Sequence, residues 1–316
     1  MRYSFIVNPV AGGGNAKKAW THLENYLKQA QVDYDVKITH YAGHAEYLAQ
    51  KMTENEDSGQ RVVIAVGGDG TLNEVLNGLA KVGNPANLPL ADIPCGSGKD
   101  FARSYGISTD PIKAFQQIQT AKHPNNIFVG HYQEAIKNTE WYFVNNVGIG
   151  FDAAIVSRAN NSNVKKRLNH AHMGTFSYLS QALRVLYDQQ PFSLSVEDSR
   201  HHDVLSRAFL CIANNGAYIG GGFQVDPSAS IHNSDISLVV AERKNWLQTL
   251  YLMWQLVRGK LPQSRFAHYY HGKRIHYSTN SLEFMQIDGN DGGNRFADLT
   301  IDCQPFPFWQ TPLNNG

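Results

Sequence analysis

The segment Val66-Gly67-Gly68-Asp69-Gly70-Thr71-Leu72-Asn73-Glu74-Val75 constrains this chain more than any other. It follows Arg61-Val62-Val63-Ile64-Ala65, a short apolar run rich in β-branched residues. It leads into Leu72, Val75, Leu76 and Leu79, spaced as one face of a helix. The glycines therefore stand where a buried strand turns into a helix. With no Cβ in the way, backbone N–H groups at such a turn approach phosphate oxygens closely, and the helix dipole favours negative charge there. Asp69 is the exception, a carboxylate where phosphates would bind. A carboxylate repels phosphate unless a cation lies between, which points to Mg2+ and a nucleoside triphosphate.

Around this segment, strands and helices alternate. Tyr3–Val7, Tyr34–Thr39, Arg61–Val66 and Leu88–Ile93 read as strands. The stretches from Ala16 to Ala30, Ala45 to Met52 and Asp110 to Ala121, with the one after the glycines, read as helices. Such alternation predicts a parallel sheet with helices on both faces, whose phosphate ligands bind at the carboxyl ends of the strands. Four loops leave those ends: Asn8–Gly14, Thr39–His44, Gly67–Thr71 and Pro94–Asp100. From about Asn125 strand patterns dominate: Ile127–Tyr132, Trp141–Val147, Phe192–Glu197, Ala208–Ala213, Ile236–Ala241, Arg274–Ser278 and Leu282–Ile287. Helical stretches at Phe176–Tyr187 and Trp246–Val257 interrupt them. Consecutive strands predict an antiparallel sandwich as a second domain, and 316 residues accommodate two domains.

A net charge of +1 argues against general nucleic-acid binding. The charge is uneven in place. No acidic residue occurs between Asp152 and Asp188, or between Glu242 and Glu283, while basic and aromatic residues recur in both windows. Such stretches suit an anionic membrane surface, at about 1 kcal/mol per basic residue near the headgroups. They equally suit a solvated basic face over ordinary core aromatics. Cys95, Cys211 and Cys303 are far apart without metal-ligand spacing and read as reduced thiols. Tyr3–Val7 reads as a strand rather than a signal peptide, and no run reaches membrane-span length. The expectation is a cytoplasmic protein whose contact with lipid is peripheral.

Gly67 to Val75, followed by Ile93-Pro94-Cys95-Gly96-Ser97-Gly98-Lys99-Asp100-Phe101-Ala102-Arg103, resembles the diacylglycerol kinase catalytic-domain family, which includes bacterial soluble lipid kinases. The likeness extends to Asn8-Pro9, Gly43-His44-Ala45, Asn145 to Asp152, Gly220 to Phe223 and Asp288-Gly289. It implies a first domain of the phosphofructokinase and NAD-kinase kind at residues 1–124, a β-sandwich with the lipid site at 125–299, and a last segment near 300–316 returning to the first. It implies ATP and Mg2+ as cofactors, a lipid substrate with a hydroxyl acceptor, and a possible homodimer through the second domain.

On these motifs Asn8, Thr39, Gly67, Gly68, Gly70, Thr71, Glu74, Gly96, Ser97 and Gly98 are the expected nucleotide contacts. Asp69 is the expected Mg2+ organiser, and Asp235 a second candidate cation ligand. Three residues depart from the family pattern. Lys99 stands where Asn is usual and Ile236 where Gly is usual. In Gln286-Ile287-Asp288-Gly289-Asn290-Asp291, Asn290 stands where similar members carry the Glu proposed as general base. An amide is no base at neutral pH, so either Asp291 or Asp288 takes that role, or the protein is slow or inactive. The Asp-Gly-Asn-Asp-Gly-Gly run also reads as a polar turn between strands. Two rivals stay open: a nucleotide-binding protein that has lost catalysis, and an NAD-kinase-like enzyme sharing the Gly-Gly-Asp-Gly-Thr loop.

Overall fold

The computed structural model describes residues 1–54, 61–81, 88–161 and 189–313. The helix expected at Phe176–Tyr187 lies outside the described residues.

Four parallel strands come first: β1 (Arg2–Val7), β2 (Tyr34–Ile38), β3 (Arg61–Gly67) and β4 (Leu90–Pro94), in the order β2-β1-β3-β4. Five helices flank them: α1 (Asn15–Gln29), α2 (His44–Thr53), α3 (Asp69–Ala80), α4 (Asp100–Tyr105) and α5 (Pro111–Thr120). α1 packs with α5 and α2 with α3. Every residue of β3 and β4 is buried, which accounts for their largely apolar character, with Asp92 as the acid within β4. Asp110 caps α5, its carboxylate accepting from Ile112 N and Lys113 N, with Pro111 at the first helical position.

The second half is built of antiparallel strands: β5 (Asn125–Glu134), β6 (Thr139–Phe143), β7 (Asn146–Gly150), β8 (Phe192–Glu197), β9 (His202–Asn214), a small β10 (Tyr218–Ile219) and β11 (Phe223–Gln224) hairpin, β12 (Ile236–Glu242), β13 (Ala267–Gly272), β14 (Arg274–Thr279), β15 (Glu283–Ile287), β16 (Asn290–Arg295) and β17 (Asp298–Phe308). Helix α6 (Phe151–Asn161) follows β7, and the next described helix, α7 (Trp246–Val257), follows β12. The pleat of β9 sends Cys211 and Ala213 into the sandwich core with Leu194, Val196, Tyr277 and Leu299. Leu210 and Ile212 face the other way, beneath α6 and α7 with Phe151, Val239 and Leu252. The three cysteines are free thiols.

One predicted strand is two. Trp141–Val147 breaks at Val144 and Asn145, between β6 and β7. There the backbone N–H groups of Val144, Asn145 and Asn146 turn to the carboxylate of Asp288 instead of extending a ladder. The closing strand links the halves. β17 runs antiparallel to β5 and β14, and its end meets β4 in parallel at Phe308 and Leu90. Phe306, Phe308 and Trp309 lie in the core of the parallel half with Phe5, Leu76 and Phe115.

Candidate active site

Three loops at the carboxyl edge of the parallel strands meet backbone to backbone. Gly67 O accepts from Cys95 N at 2.6 Å and from Gly96 N at 2.9 Å. A Cβ on Gly96 would fall on the Cα of Gly68, so only glycine lets these loops touch. Gly12, at φ +59°, packs the first loop in the same way onto the carbonyl of Cys95. Asn8 joins the set: its Nδ2 donates to Thr71 Oγ1 at 3.0 Å, and its N–H to Val66 O. Thr39 is buried at the end of β2, its N–H donating to Val7 O. Ser97 is exposed and Gly98 half-buried on the rim.

Asp69 opens α3 in the middle of these loops. Its Oδ2 accepts from Asp100 N at 3.0 Å, and the N–H of Phe101 also bonds the carboxylate. Asp69 thus faces the amino end of α4 while standing at the amino end of its own helix, both favourable for negative charge. Burial nevertheless pushes its carboxyl up to about 6. Asp92 lies in β4, fully buried, and burial followed by the charge of Asp69 raises it well above the usual carboxylate range. The sequence reading passed over Asp92, although a lone acid inside the buried strand Leu90–Pro94 is itself a signal.

Elements of the second half reach this edge at two points. Asp100 pairs with Arg103 Nη1 at 2.8 Å, and its other oxygen accepts from Gly221 N at 2.8 Å, in the turn between β10 and β11. The second point is the hairpin between β15 and β16. Ile287 pairs with Asn290, leaving a two-residue turn, Asp288-Gly289, with φ of 48° and 78°. Positive φ at both centres is the type I′ signature, and Asp-Gly suits it. The turn is bolted down by Asp288, which accepts from Asn73 Nδ2, Val144 N, Asn145 N and Asn146 N at 2.7–2.9 Å. Burial raises its carboxyl to about 7 against the pull of those donors. Asn73 also donates to Tyr142 O. Asn77, one helical turn on, exchanges two hydrogen bonds with the backbone of Tyr142. The tip of the hairpin then lies over the glycine loop: a Cβ on Gly70 would sit 3.1 Å from Asn290 Oδ1.

This placement revises several expected roles. Asp288 is suited to anchoring rather than to taking a proton, since both oxygens are filled by N–H donors. Asp291 follows Asn290 in the strand, and successive strand residues face opposite sides. It is exposed and accepts from Gly293 N at 2.9 Å. The turn is too tight for the one-residue shift that would bring Asp291 to the place of Asn290. Glu74 does not turn to the glycine loops. Its two oxygens accept from Gly43 N at 2.9 Å and Ala45 N at 3.2 Å, capping α2 from α3. Asp235 pairs with Lys273 at 2.8 Å, and among the described residues no three His, Cys, Asp or Glu side chains gather as a metal-holding group. Other polar links the sequence reading did not foresee include Gln286 Nε2, which donates to Asn146 Oδ1 and to the buried Asp152.

Residues 2–132 match the diacylglycerol kinase catalytic domain, and residues 145–306 match the YegS C-terminal NAD kinase beta sandwich-like domain. The chain belongs to the diacylglycerol kinase family. It is therefore a phosphotransferase with an alcohol acceptor. This family member is 27% identical to a diacylglycerol kinase of Staphylococcus saprophyticus over 294 residues, covering 92% of this chain and 90% of that one. A diacylglycerol kinase from Bacillus anthracis shares its fold, with a TM-score of 0.66 at 20% identity over 98% of this chain and 97% of that chain. Yeast NADH kinase shares the fold more distantly, with a TM-score of 0.53 at 11% identity over 100% of this chain and 84% of that chain. No described helix is long and apolar enough to cross a membrane.

Proposed function

We propose that this family member transfers the γ-phosphoryl group of ATP to the hydroxyl of a diacylglycerol-like lipid, with Mg2+. The observation that carries the reading is the convergence of three glycine loops around the carboxylate of Asp69. The tip of the β15–β16 hairpin meets this centre at Gly70. Residues 1–124, with the returning segment 300–316, would form the nucleotide module, and residues 125–299 the lipid module.

The donor set fits magnesium. That ion is commonly held by one or two carboxylates completed by phosphate oxygens and water. Asp69, held by two N–H groups at the start of α4, would be the carboxylate for such a role, and a bound ion would supply neutralisation of phosphate charge. The remaining work belongs to the chain. N–H groups of Gly68–Gly70 and of Ser97 and Gly98 hold phosphate oxygens, while Asn8 fixes the Thr71 hydroxyl at the first turn of α3. Asn290 gives the acceptor side a hydrogen-bonding amide in place of a base. Phosphoryl transfer depends mainly on positioning and charge neutralisation, so such a site retains a slower reaction.

A second reading draws on the same residue. With Asn290 at the family's base position, the protein would bind nucleotide without transferring phosphate. Labelled ATP, Mg2+ and dioleoylglycerol in mixed micelles separate the two. A labelled product with lipid mobility is expected, reduced at least about a hundredfold by Asp69→Ala. Tight nucleotide binding with no labelled lipid would establish the second reading, and, with NAD supplied in place of the lipid, labelling of NAD would establish a third.

A further inference from the structure

We propose that the outward face of α7 and the basic residues at its ends form the surface by which this protein lies on an anionic phospholipid bilayer. The proposal builds on the lipid-acceptor reading above and assigns the docking to one element.

The helix is built inside out. Leu247, Leu250, Trp254 and Val257 are 79%, 53%, 52% and 65% exposed. Their spacing of three and four residues puts them on one stripe. Its polar residues instead face inward. Gln248 is buried and donates through Nε2 to Glu242 O at 3.0 Å. Thr249 is buried and donates through Oγ1 to Asn245 O at 3.1 Å. A helix bordering water places these residue types the other way round. No charged residue interrupts it from Trp246 to Val257.

Charge selects the occupant. Arg243 lies over the Trp246 ring at 4.1 Å at the amino end, and Arg258 over the Trp254 ring at 4.5 Å at the carboxyl end. Lys244 and Lys260 stand exposed beside them, and no acid occurs from Arg243 to Leu282. Lys244 at one end and Arg258 with Lys260 at the other thus present exposed basic side chains at both ends of the stripe. A second copy packed on this face in either orientation would set arginine and lysine against arginine and lysine. A bilayer offers acidic headgroups at the ends and an acyl boundary for the tryptophan and leucines, the arrangement of a helix lying in the interfacial plane.

The test uses the full chain sedimented with phosphatidylcholine vesicles, with and without phosphatidylglycerol. Binding is expected to the anionic vesicles and to weaken with salt. Leu250→Glu with Trp254→Glu is expected to weaken it at least about tenfold, and Arg258→Gln with Lys260→Gln to reduce the preference for phosphatidylglycerol. An unchanged circular dichroism spectrum shows that each variant is folded; Leu247→Ser replaces the glutamate pair if that pair is not. Transfer to a water-soluble short-chain diacylglycerol should be unaffected in every variant. Vesicle binding unchanged by these substitutions overturns the proposal. So does a lipid-free dimer that the glutamate pair converts to monomer with vesicle binding intact. If wild type binds vesicles through this face but phosphorylates no acceptor, the docking proposal stands and the kinase reading falls.

Discussion

In the proposed reaction, Asn290 is the residue on which the rate would turn. The type I′ turn fixes where it points, and its carboxamide lies against Gly70 in the glycine loop. An amide there can orient a hydroxyl but cannot remove its proton at neutral pH. A general base typically contributes about 10²–10⁴-fold. Asn290→Glu adds a carboxylate and one methylene at an exposed strand position, so it should raise kcat for lipid phosphorylation by at least about tenfold with little change in stability. Asn290→Gln should not raise it, which separates the carboxylate from the longer side chain. An unchanged rate for the glutamate variant in the micelle assay would show that no base was missing. Lys99 is the other departure with a structural meaning. It caps α4 at φ 58°, a left-handed conformation that the family's usual Asn tolerates better than Lys. The same conformation keeps Asp100 N aimed at Asp69.

Among the elements, the β15–β16 hairpin matters through its anchor. Asp288→Asn preserves the left-handed turn residue but replaces a carboxylate facing four N–H donors by a group with one acceptor and an NH2 of its own. At least one buried donor loses its partner, at about 1–3 kcal/mol. The variant should show a lower urea midpoint. Its nucleotide KM should be nearly unchanged and its kcat reduced, because Asn290 loses its seat while the glycine loops stay. A nucleotide KM rising as steeply as kcat falls would place the anchor's role elsewhere. This hairpin also marks the limit of what the sequence revealed. The glycine loops were legible because strand, turn and helix lie within a few consecutive residues. The bounds of α7 were legible because Asn245 caps it locally. The break between β6 and β7 was not, since the carboxylate that causes it lies more than 140 residues away in sequence. Nor was the role of Glu74, whose partners belong to a different helix. Local chemistry writes itself into sequence; a cap or anchor supplied from another element does not.

At the scale of the molecule, β17 and the site are coupled through buried acid. The strand's continuation delivers Trp309 to the core of the parallel half, and Gln310 to Asp92, whose backbone N–H and carbonyl it bonds at 3.1 Å. The chain's end thus braces the strand that ends at the phosphate edge. Above Asp92 lie carboxyls that burial raises: Asp69 to about 6 and Asp288 to about 7. Asp152, beside Gln286, is raised to about 6. Their ordinary value is 3.8, so between that value and about 7 the folded state holds more protons than the unfolded chain. The stability these groups contribute is therefore full below the unfolded value and lost as pH rises through 6 and 7. Asp198 and Asp302, held below the usual range by histidine and other donors against the opposing pull of burial, work the other way only at the acid end. Without nucleotide or divalent cation, the thermal midpoint should be several degrees higher near about pH 5.5 than near about pH 8. On the proposed function, Mg2+ with nucleotide would select the ionised form of Asp69, so adding both should raise the midpoint more at pH 8 than at pH 5.5 and flatten the profile. Asp69→Asn and Asp288→Asn should each flatten it without ligand. Calorimetry across this range decides the matter: a midpoint that climbs with pH in the free enzyme would mean these acids are ionised in the folded state.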